Sequence, residues 1–225
     1  MIAHRLTSRF VSALASDAKC VLALDFNDNW GGVVYDKSLA KKHGARVGAV
    51  QANGIEDIAL DFDGINDCVI LTQGTSPISV AVNNISMVCW VNWTGTTAQN
   101  YQVFFYNGAS GSNGWGVLLT KAESDNIEVL CGGVDFADSN TSFTAGKWQH
   151  LATVCDAGTW KIYLDGVGLT VTGNPTPKTP TTGTWVGTAD AVPTYPFNGI
   201  VDSVMVLERA LSAREVHDLY MSCAR

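Results

Sequence analysis

Residues 146–166 read GKWQHLATVCDAGTWKIYLDG and decide the fold of this chain. The two halves of this stretch place alternate residues on opposite faces, the period of two that is typical of β-strands. Between the halves, residues 156–159 (DAGT) tolerate the dihedral angles of a tight turn, and Asp165-Gly166 begins a second turn. The stretch therefore predicts two paired strands of an antiparallel sheet.

Three further motifs occur in order along the chain, and they carry a family resemblance. They are ALDFDG at 59–64 followed by Asp67, ISMVCWV at 85–91, and FNGIVD at 197–202 running to RALS at 209–212. Together with the GxWxHxA…DxGxxxxYxDG pattern of 146–166, they resemble the laminin-G-like, concanavalin-A-like jelly-roll superfamily. The resemblance covers roughly residues 20–223 and implies an all-β fold, an antiparallel two-sheet β-sandwich of jelly-roll type. It leaves the function open, because this fold hosts lectins, adhesion modules, hydrolases and virion proteins.

The composition is that of a folded domain and disfavours one class of partner. The chain has 225 residues, of which 46% are hydrophobic and 16% charged, and a single β-sandwich can reach this length. The formal net charge of −7 argues against a nucleic-acid groove, which needs clustered Lys and Arg. No run of about eighteen apolar residues is present to insert into a membrane.

The ends of the chain predict two helices around the sandwich. Residues 1–19 form an N-terminal arm with apolar residues four apart, which predicts a short amphipathic helix; they are Ile2, Leu6, Phe10 and Leu14. This helix either packs on its own domain or docks on a neighbouring subunit, which would make the protein a homo-oligomer through residues 1–19. Residues 20–225 are the jelly-roll domain, closed by a helix over 212–221 that opens with the capping box Ser212 to Glu215.

The start of the chain does not favour secretion. Basic residues precede the apolar run Phe10–Ala15, but Ser12 interrupts this run and it is too short for a signal peptide.

Several sections of the middle region predict strands, among them 85–93 and 101–106. Residues 59–71 predict a strand pair that turns at Asp63-Gly64, residues 78–82 predict one strand, and residues 114–129 predict a hairpin with its tip at 121–126.

That tip contains a spacing that resembles a catalytic motif. Glu123, Asp125 and Glu128 have the E-x-D-x-x-E spacing of some retaining glucanases of the same superfamily. Such chemistry needs two carboxyl groups close together, one of them with a raised pKa in a partly apolar site. Residues 124–126 (SDN) are typical of a turn, so we expect both glutamates to be solvated. The sequence thus predicts no catalytic residue and no enzyme.

Glycan sites in jelly-roll proteins pair aromatic rings with polar groups. Several aromatic residues lie near predicted loops or strand ends, where they could line such a site; for each, the alternative is core packing. They are Trp30, Trp93, Tyr101, Trp115, Trp185 and Tyr195.

The resemblance also implies a metal site and a disulfide. Related modules often hold a structural calcium ion through carboxylates of the first and last strands, here Asp25 and Asp202. The alternative for Asp202 is a structural role, as a backbone cap or in a pair with Arg209. Cys20 and Cys223 flank the first and last elements, so a disulfide would close the domain; the alternative is two unpaired thiols in a reducing compartment.

A loop near the N-terminus matches another family element. Tyr35-Asp36, Ser38 and His43-Gly44 correspond to a loop of the family in which a Tyr-Asp pair precedes a Ser and a His-Gly. We expect His43 to be an exposed loop residue, because no second ligand or nucleophile accompanies it.

These observations favour a non-catalytic binding or structural module. The chain resembles laminin-G-like proteins that are accessory components of bacteriophage particles, which implies capsid decoration or a place in a tail or fibre. On this hypothesis the protein is located in the virion, contacts other proteins of the assembly and contacts glycans of a host surface. The alternative is a secreted or cell-surface lectin, and a polysaccharide hydrolase ranks third.

Overall fold

The computed structural model describes residues 9–28, 30–71, 78, 83–133, 135–190 and 194–223. Within these residues the chain forms two antiparallel sheets of eight strands each and two α-helices. Sheet 1 contains β1 (Cys20–Leu24), β4 (Val50–Asn53), β5 (Ile58–Asp63), β7 (Ile85–Trp93), β12 (Trp148–Asp156), β13 (Thr159–Leu164), β14 (Val167–Gly168) and β16 (Asn198–Leu207). Sheet 2 contains β2 (Val33–Val34), β3 (Gly44–Val47), β6 (Cys68–Ile70), β8 (Tyr101–Asn107), β9 (Trp115–Thr120), β10 (Asn126–Cys131), β11 (Asp135–Asp138) and β15 (Thr184–Val186). The helices are α1 (Arg9–Ala15) and α2 (Ala213–Cys223). The predicted two-sheet β-sandwich is confirmed.

The decisive hairpin forms as its alternation predicts. Strands β12 and β13 pair from Leu151 with Leu164 to Asp156 with Thr159. The two residues of the connecting turn, Ala157 and Gly158, have φ angles of 47° and 84°, as the turns that match the twist of paired strands require. Sheet 1 continues in the order β14, β13, β12, β7, β16, β5, β4, with β1 also paired to β16.

The main core lies between the two sheets. Alternate residues of β12 and β13 point inward, among them Leu151 and Ile162, and they meet inward residues of sheet 2 such as Val117. Aromatic rings add edge-to-face contacts, because the ring centroids of Phe104 and Phe197 lie 5.8 Å apart. Removal of this apolar surface from water is the main stabilising contribution to the sandwich.

The outer face of sheet 1 is covered by both helices. Phe10 and Val11 of α1 and Val216 and Leu219 of α2 are buried there, together with Trp90 of β7. The described part of the N-terminal arm therefore packs on its own domain; Ile2 and Leu6 lie outside the described residues. None of the described helices is long and apolar enough to cross a membrane.

The capping box of α2 is present. The Glu215 N–H donates to the Ser212 hydroxyl at 3.2 Å, and the Ser212 N–H donates to the Glu215 carboxylate at 2.8 Å. The helix continues to Cys223, two residues beyond the predicted end. Arg209 joins the two ends of the chain, because its guanidinium forms ion pairs at 2.8 Å with both Asp17 and Glu215.

The prediction for residues 59–71 was wrong in one respect. The chain does turn after Asp63, but β5 before the turn belongs to sheet 1 and β6 after it belongs to sheet 2. The two strands therefore face each other across the core instead of pairing. The strand predicted at 78–82 lies outside the described residues, except for Ile78, which is buried.

Candidate functional site

One row of side chains crosses the outer face of sheet 2 through all eight of its described strands. Directly paired residues of neighbouring strands point to the same face of a sheet. The row consists of Val33, Ala45, Ile70, Trp185, Tyr106, Gly116, Leu130 and Phe136. Their chain neighbours Val129 and Val186 belong to the inner core. The row therefore faces away from sheet 1.

A glycine in this row lets the ring of Tyr106 lie against the sheet. A Cβ atom at Gly116 would lie 2.1 Å from Cδ2 of Tyr106, so the ring occupies the space that a side chain would fill. The Tyr106 hydroxyl donates a hydrogen bond of 3.1 Å to the carbonyl oxygen of Asn113. This bond holds the loop 108–114, which joins β8 and β9, over the outer face of the sheet.

A cavity of about 360 Å³ lies beside this loop. Its apolar floor is made by Val103, Leu118 and Leu130, one residue from each of β8, β9 and β10. Its walls come from the loop 108–114, from the start of β11 and from the segment that precedes β16. The complete lining is Tyr101, Val103, Ser110, Gly111, Leu118, Leu130, Gly133, Phe136, Asp190, Thr194 and Tyr195. We call this cavity and its lining the groove.

Tyr101 and Tyr195 lie together in the groove. Their ring centroids are 4.9 Å apart and the rings meet edge to face, at 74°. The segment that carries Tyr195 is fixed to β8, because the Val103 N–H donates to the Tyr195 carbonyl oxygen at 2.8 Å and Pro196 forms an isolated bridge with Val103. The structure thus brings two of the predicted glycan-contact residues into one site.

Asp190 is the only acidic or basic residue of the described lining. Its Oδ1 atom is buried and has no hydrogen-bond partner among the residues that the structure describes. The backbone around it is held by other bonds: the Ala189 N–H donates to the Thr194 carbonyl oxygen at 3.0 Å, and the Thr194 N–H donates to the Thr188 hydroxyl at 3.0 Å. Asp190 therefore offers a carboxylate acceptor next to residues whose backbone is held by hydrogen bonds.

The groove combines the groups that bind a sugar ring. The faces of aromatic rings pack against the C–H surface of a sugar, and a few polar groups orient its hydroxyls. Tyr101, Tyr195 and Phe136 supply the rings, and the Asp190 carboxylate and the Ser110 hydroxyl supply polar groups.

The environment of Glu128 differs from the prediction. Ser124 and Asp125 form the turn, both with positive φ, but β10 begins at Asn126, so Glu128 lies inside a strand and is only 3% exposed. Burial raises the pKa of Glu128 to about 7, although a hydrogen bond donated by the Thr120 hydroxyl lowers it. Glu123 is exposed, and neither glutamate lines the groove.

Three of the other predicted aromatic residues lie outside the groove lining. Trp93 and Trp115 belong to the core between the sheets, and the Trp93 indole N–H donates to the Gln102 side chain at 3.3 Å. Trp185 points to the outer face of sheet 2 but is only 4% exposed. These three rings are covered by protein, so they do not present a face to a ligand. The side chain of Trp30 lies outside the described residues.

The two carboxylates of the predicted calcium site have separate partners. Asp25 accepts from the Asn27 N–H at 3.2 Å and lies 4.0 Å from the Lys37 ammonium. Asp202 accepts from the N–H groups of Ile55 and Glu56, at 3.0 and 3.3 Å. The described residues contain no group of three acidic, His or Cys side chains arranged to hold a metal ion. The alternative of Asp202 as a backbone cap fits these contacts.

Cys20 and Cys223 are both free thiols. The first and last strands meet as expected, because β1 pairs with β16, but Cys223 lies at the end of α2 and each sulfur has another contact. The Cys20 thiol donates to the Leu22 carbonyl oxygen at 3.3 Å, and the Cys223 sulfur lies 3.5 Å from the Ser222 hydroxyl. Burial raises the pKa of Cys223 to about 11, which keeps this thiol protonated and unreactive.

The loop that matches the family element is organised by Asp36. Its buried carboxylate accepts hydrogen bonds from the N–H groups of Ala23, Ser38 and Lys42, at 2.8 to 2.9 Å, and from the Ser38 hydroxyl. His43 is exposed, as predicted, and its Nδ1 accepts from the Asp36 N–H at 3.1 Å. These bonds give the motif a structural role.

Several groove residues were not predicted from the sequence. Asp190, Ser110 and Gly111 come from loops, and Phe136 comes from a short edge strand. The alternation in β10 was the one sequence pattern that could have identified a groove residue, because it places Leu130 on the face opposite Val129.

Comparison with solved structures identifies similar folds. Domain 4 of the extracellular arabinanase AbnA from Geobacillus stearothermophilus, solved in complex with arabinotriose, superposes with a TM-score of 0.70 at 24% identity, over 90% of this chain and 98% of that one. Trypanosoma rangeli sialidase gives a TM-score of 0.69 at 18% identity, over 92% of this chain and 33% of the sialidase. The binding domain of Paraclostridial Mosquitocidal Protein 1 gives 0.70 at 13% identity, over 91% of this chain and 52% of that one. At these identities the likeness shows the fold.

No curated protein matches the chain in sequence. The family model described as the concanavalin A-like lectin/glucanases superfamily matches residues 63–217, which is more than half of the chain. The match includes the decisive hairpin and all of the described lining of the groove. The chain therefore belongs to the concanavalin A-like lectin/glucanase superfamily, as a member of its laminin-G-like group.

Proposed function

We propose that this protein is a non-catalytic carbohydrate-binding module that holds a sugar ring in the groove of sheet 2. The observation that carries the proposal is the Tyr101–Tyr195 pair, with ring centroids 4.9 Å apart above an apolar floor. The superfamily contains lectins, and a similar domain of an arabinanase was solved with arabinotriose bound, which supports a glycan as the ligand.

The proposal assigns no catalytic role to the acidic residues of this face. Retaining glycosidases need two carboxyl groups that reach the same glycosidic bond. Glu128 has the raised pKa of a general acid, but its side chain is almost fully covered and does not line the groove. Asp190 is the one carboxylate among the described lining residues, and a single carboxylate favours binding over hydrolysis.

The virion role predicted from the family resemblance is a more specific version of this proposal. As a virion accessory protein the module would contact host glycans through the groove, and as a secreted or surface lectin it would use the same residues. Both roles stay predictions, as does assembly into an oligomer through residues 1–19.

A glycan array probed with the purified full chain, with calcium and with EDTA, tests the proposal. We expect saturable binding that is lost in Tyr101→Ala and in Tyr195→Ala. Tyr35→Ala is the matched control, because Tyr35 is an exposed tyrosine outside the groove, and it should bind as the wild type does. A blank array with folded protein, or binding that persists in both groove variants, would contradict the proposal.

A further inference from the structure

The charge of the groove restricts the sugars that it can accept. The described lining contains one carboxylate and no Lys, Arg or His, in a chain whose formal net charge is −7. Lys178 packs over Gly132, next to the lining residue Gly133, but is not itself part of the lining. An acidic sugar would bring a second negative charge close to Asp190, and the repulsion disfavours it.

The buried oxygen of Asp190 needs a donor. An acceptor that is covered and unpaired loses its hydrogen bonds to water without replacement, which costs free energy. Among the described residues near it in the chain, the Thr188 hydroxyl is already used, because it donates to the Thr194 carbonyl oxygen at 3.1 Å. Asp190 as a whole is half-buried, so a ligand in the groove that brings an N–H or O–H to its carboxylate would offset this cost, and a cationic donor forms the stronger, charge-assisted bond.

The rings around Asp190 favour the same kind of ligand. The faces of aromatic rings carry negative electrostatic potential and attract cations within about 6 Å. Tyr101, Tyr195 and Phe136 line the groove with Asp190, and the floor of Val103, Leu118 and Leu130 is apolar. The attraction between a cation and a carboxylate is stronger in such surroundings than in water.

We propose that the groove selects amino sugars with a free amine, the ammonium group donating to Asp190 and the C–H face of the ring packing on Tyr101 and Tyr195. This inference rests on the proposed function and names its ligand class. N-acetylation would remove the charge and add bulk at the atom that contacts Asp190. The order of affinity is therefore amino sugar first, neutral sugar second and acidic sugar last.

Calorimetric titration of the full chain with three oligosaccharides of equal length and linkage tests whether the amino sugar binds more tightly than neutral sugars. The probes are the glucosamine oligomer, its fully N-acetylated form and the glucose oligomer, at a mildly acidic pH where the amine is charged. We expect the glucosamine oligomer to bind about tenfold more tightly than the glucose oligomer, as a hydrogen bond to a charged group allows. Asp190→Asn should abolish this difference, because the amide that replaces the carboxylate carries no charge.

Asp135→Asn is the matched control, because Asp135 is exposed on β11 outside the groove and its replacement removes the same charge. Equal losses in Asp190→Asn and Asp135→Asn would overturn the inference, since they would indicate non-specific attraction. Thermal melting confirms that each variant is folded, and Asp190→Ala replaces Asp190→Asn if the latter is not.

The outcomes separate the two proposals. Binding of the glucose and N-acetylated oligomers at least as tight as that of the amine, lost in Tyr101→Ala, would overturn the amine preference and leave the carbohydrate module intact. Absence of binding to any sugar would contradict both. Binding of a simple cation such as tetramethylammonium without any sugar binding would leave Asp190 as a cation site and remove its role with glycans.

Discussion

The imidazole of His150 lies against the indole of Trp90, with ring centroids 5.3 Å apart. The two residues are direct partners in β12 and β7, and both are covered by the helices, since Phe10 of α1 and Tyr220 of α2 lie 5.4 and 6.1 Å from the same imidazole. Within the described part of the chain, neither ring nitrogen of His150 has a hydrogen-bond partner. A histidine in this setting stays neutral, because nothing compensates a charge.

Acid should therefore destabilise the protein through His150. Burial lowers its pKa from 6.5 to about 3, so the unfolded chain binds a proton that the folded chain does not accept. Stability is lost as the pH falls below about 6.5, by about 1.4 kcal/mol for each pH unit down to the folded pKa. Between about pH 7 and about pH 5, the free energy of unfolding of His150→Leu should fall by about 2 kcal/mol less than that of the wild type, as measured by urea titration. His217→Leu is the control, because His217 is exposed, and it should lose as much stability as the wild type. An equally large loss in His150→Leu would contradict the prediction.

Asp202 should destabilise the protein as the pH rises, which is the opposite of the effect of His150. Burial raises its pKa from 3.8 to about 7, against the hydrogen bonds from Glu56, Ser203 and Ile55 that lower it. The folded state thus favours the protonated form, and stability falls as the pH rises from about 4 to about 7. Asp202→Asn keeps an acceptor for the two backbone N–H groups and removes the charge. The free energy of unfolding of Asp202→Asn minus that of the wild type should increase by about 2 to 3 kcal/mol between about pH 5 and about pH 8. Asp218→Asn, an exposed change on α2, should show no such difference.

Gly116→Ala should distort the groove, because Gly116 lies under the ring of Tyr106. The new methyl group would overlap the ring of Tyr106, displace the loop 108–114 and cost about 1 to 3 kcal/mol of stability through overpacking. Glycan affinity should fall with it, as measured by titration of the variant at a temperature where it is still folded. Gly168→Ala adds a methyl group at ordinary contact distance on the edge strand β14, and it should leave affinity unchanged. Unchanged affinity in Gly116→Ala would show that the loop does not shape the site.

Glu128→Gln separates binding from hydrolysis. Because Glu128 does not line the groove, glycan affinity should change by less than about twofold, which is below about 0.4 kcal/mol. Burial raises the pKa of Glu128, so the variant should also gain stability relative to the wild type as the pH rises. Turnover of an oligosaccharide by the wild type, abolished in Glu128→Gln, would instead favour the hydrolase hypothesis.

The sequence predicted local features well and the partners of strands less well. The alternation of residues 148–164 and the turn at Ala157-Gly158 depend only on neighbours in the chain, and the hairpin formed as expected. The turn after Asp63 was also predicted, yet its two strands lie in different sheets. A pattern of period two shows which side chains share a face, but it does not show which sheet the strand joins.

The site was harder to predict than the fold. Glu128 was placed in a solvated tip because Ser124, Asp125 and Asn126 are all typical of turns, and the strand starts one residue earlier than the pattern indicates. Tyr101 and Tyr195 were candidates, but so were Trp93 and Trp115, and only the packing of both sheets separates them. Asp190 gives no signal in the sequence, since its role depends on loops that are distant in the chain and meet only after folding.

The helices and the groove lie on opposite outer faces of the sandwich, α1 and α2 on sheet 1 and the groove on sheet 2. An attachment made through either helix would therefore point the sugar-facing side away from its support. A bead or a sensor chip that carries the protein by this side would present every groove to the solution. Several copies fixed in this way would also engage a glycan-coated surface together, and weak individual contacts would add up to tight adhesion.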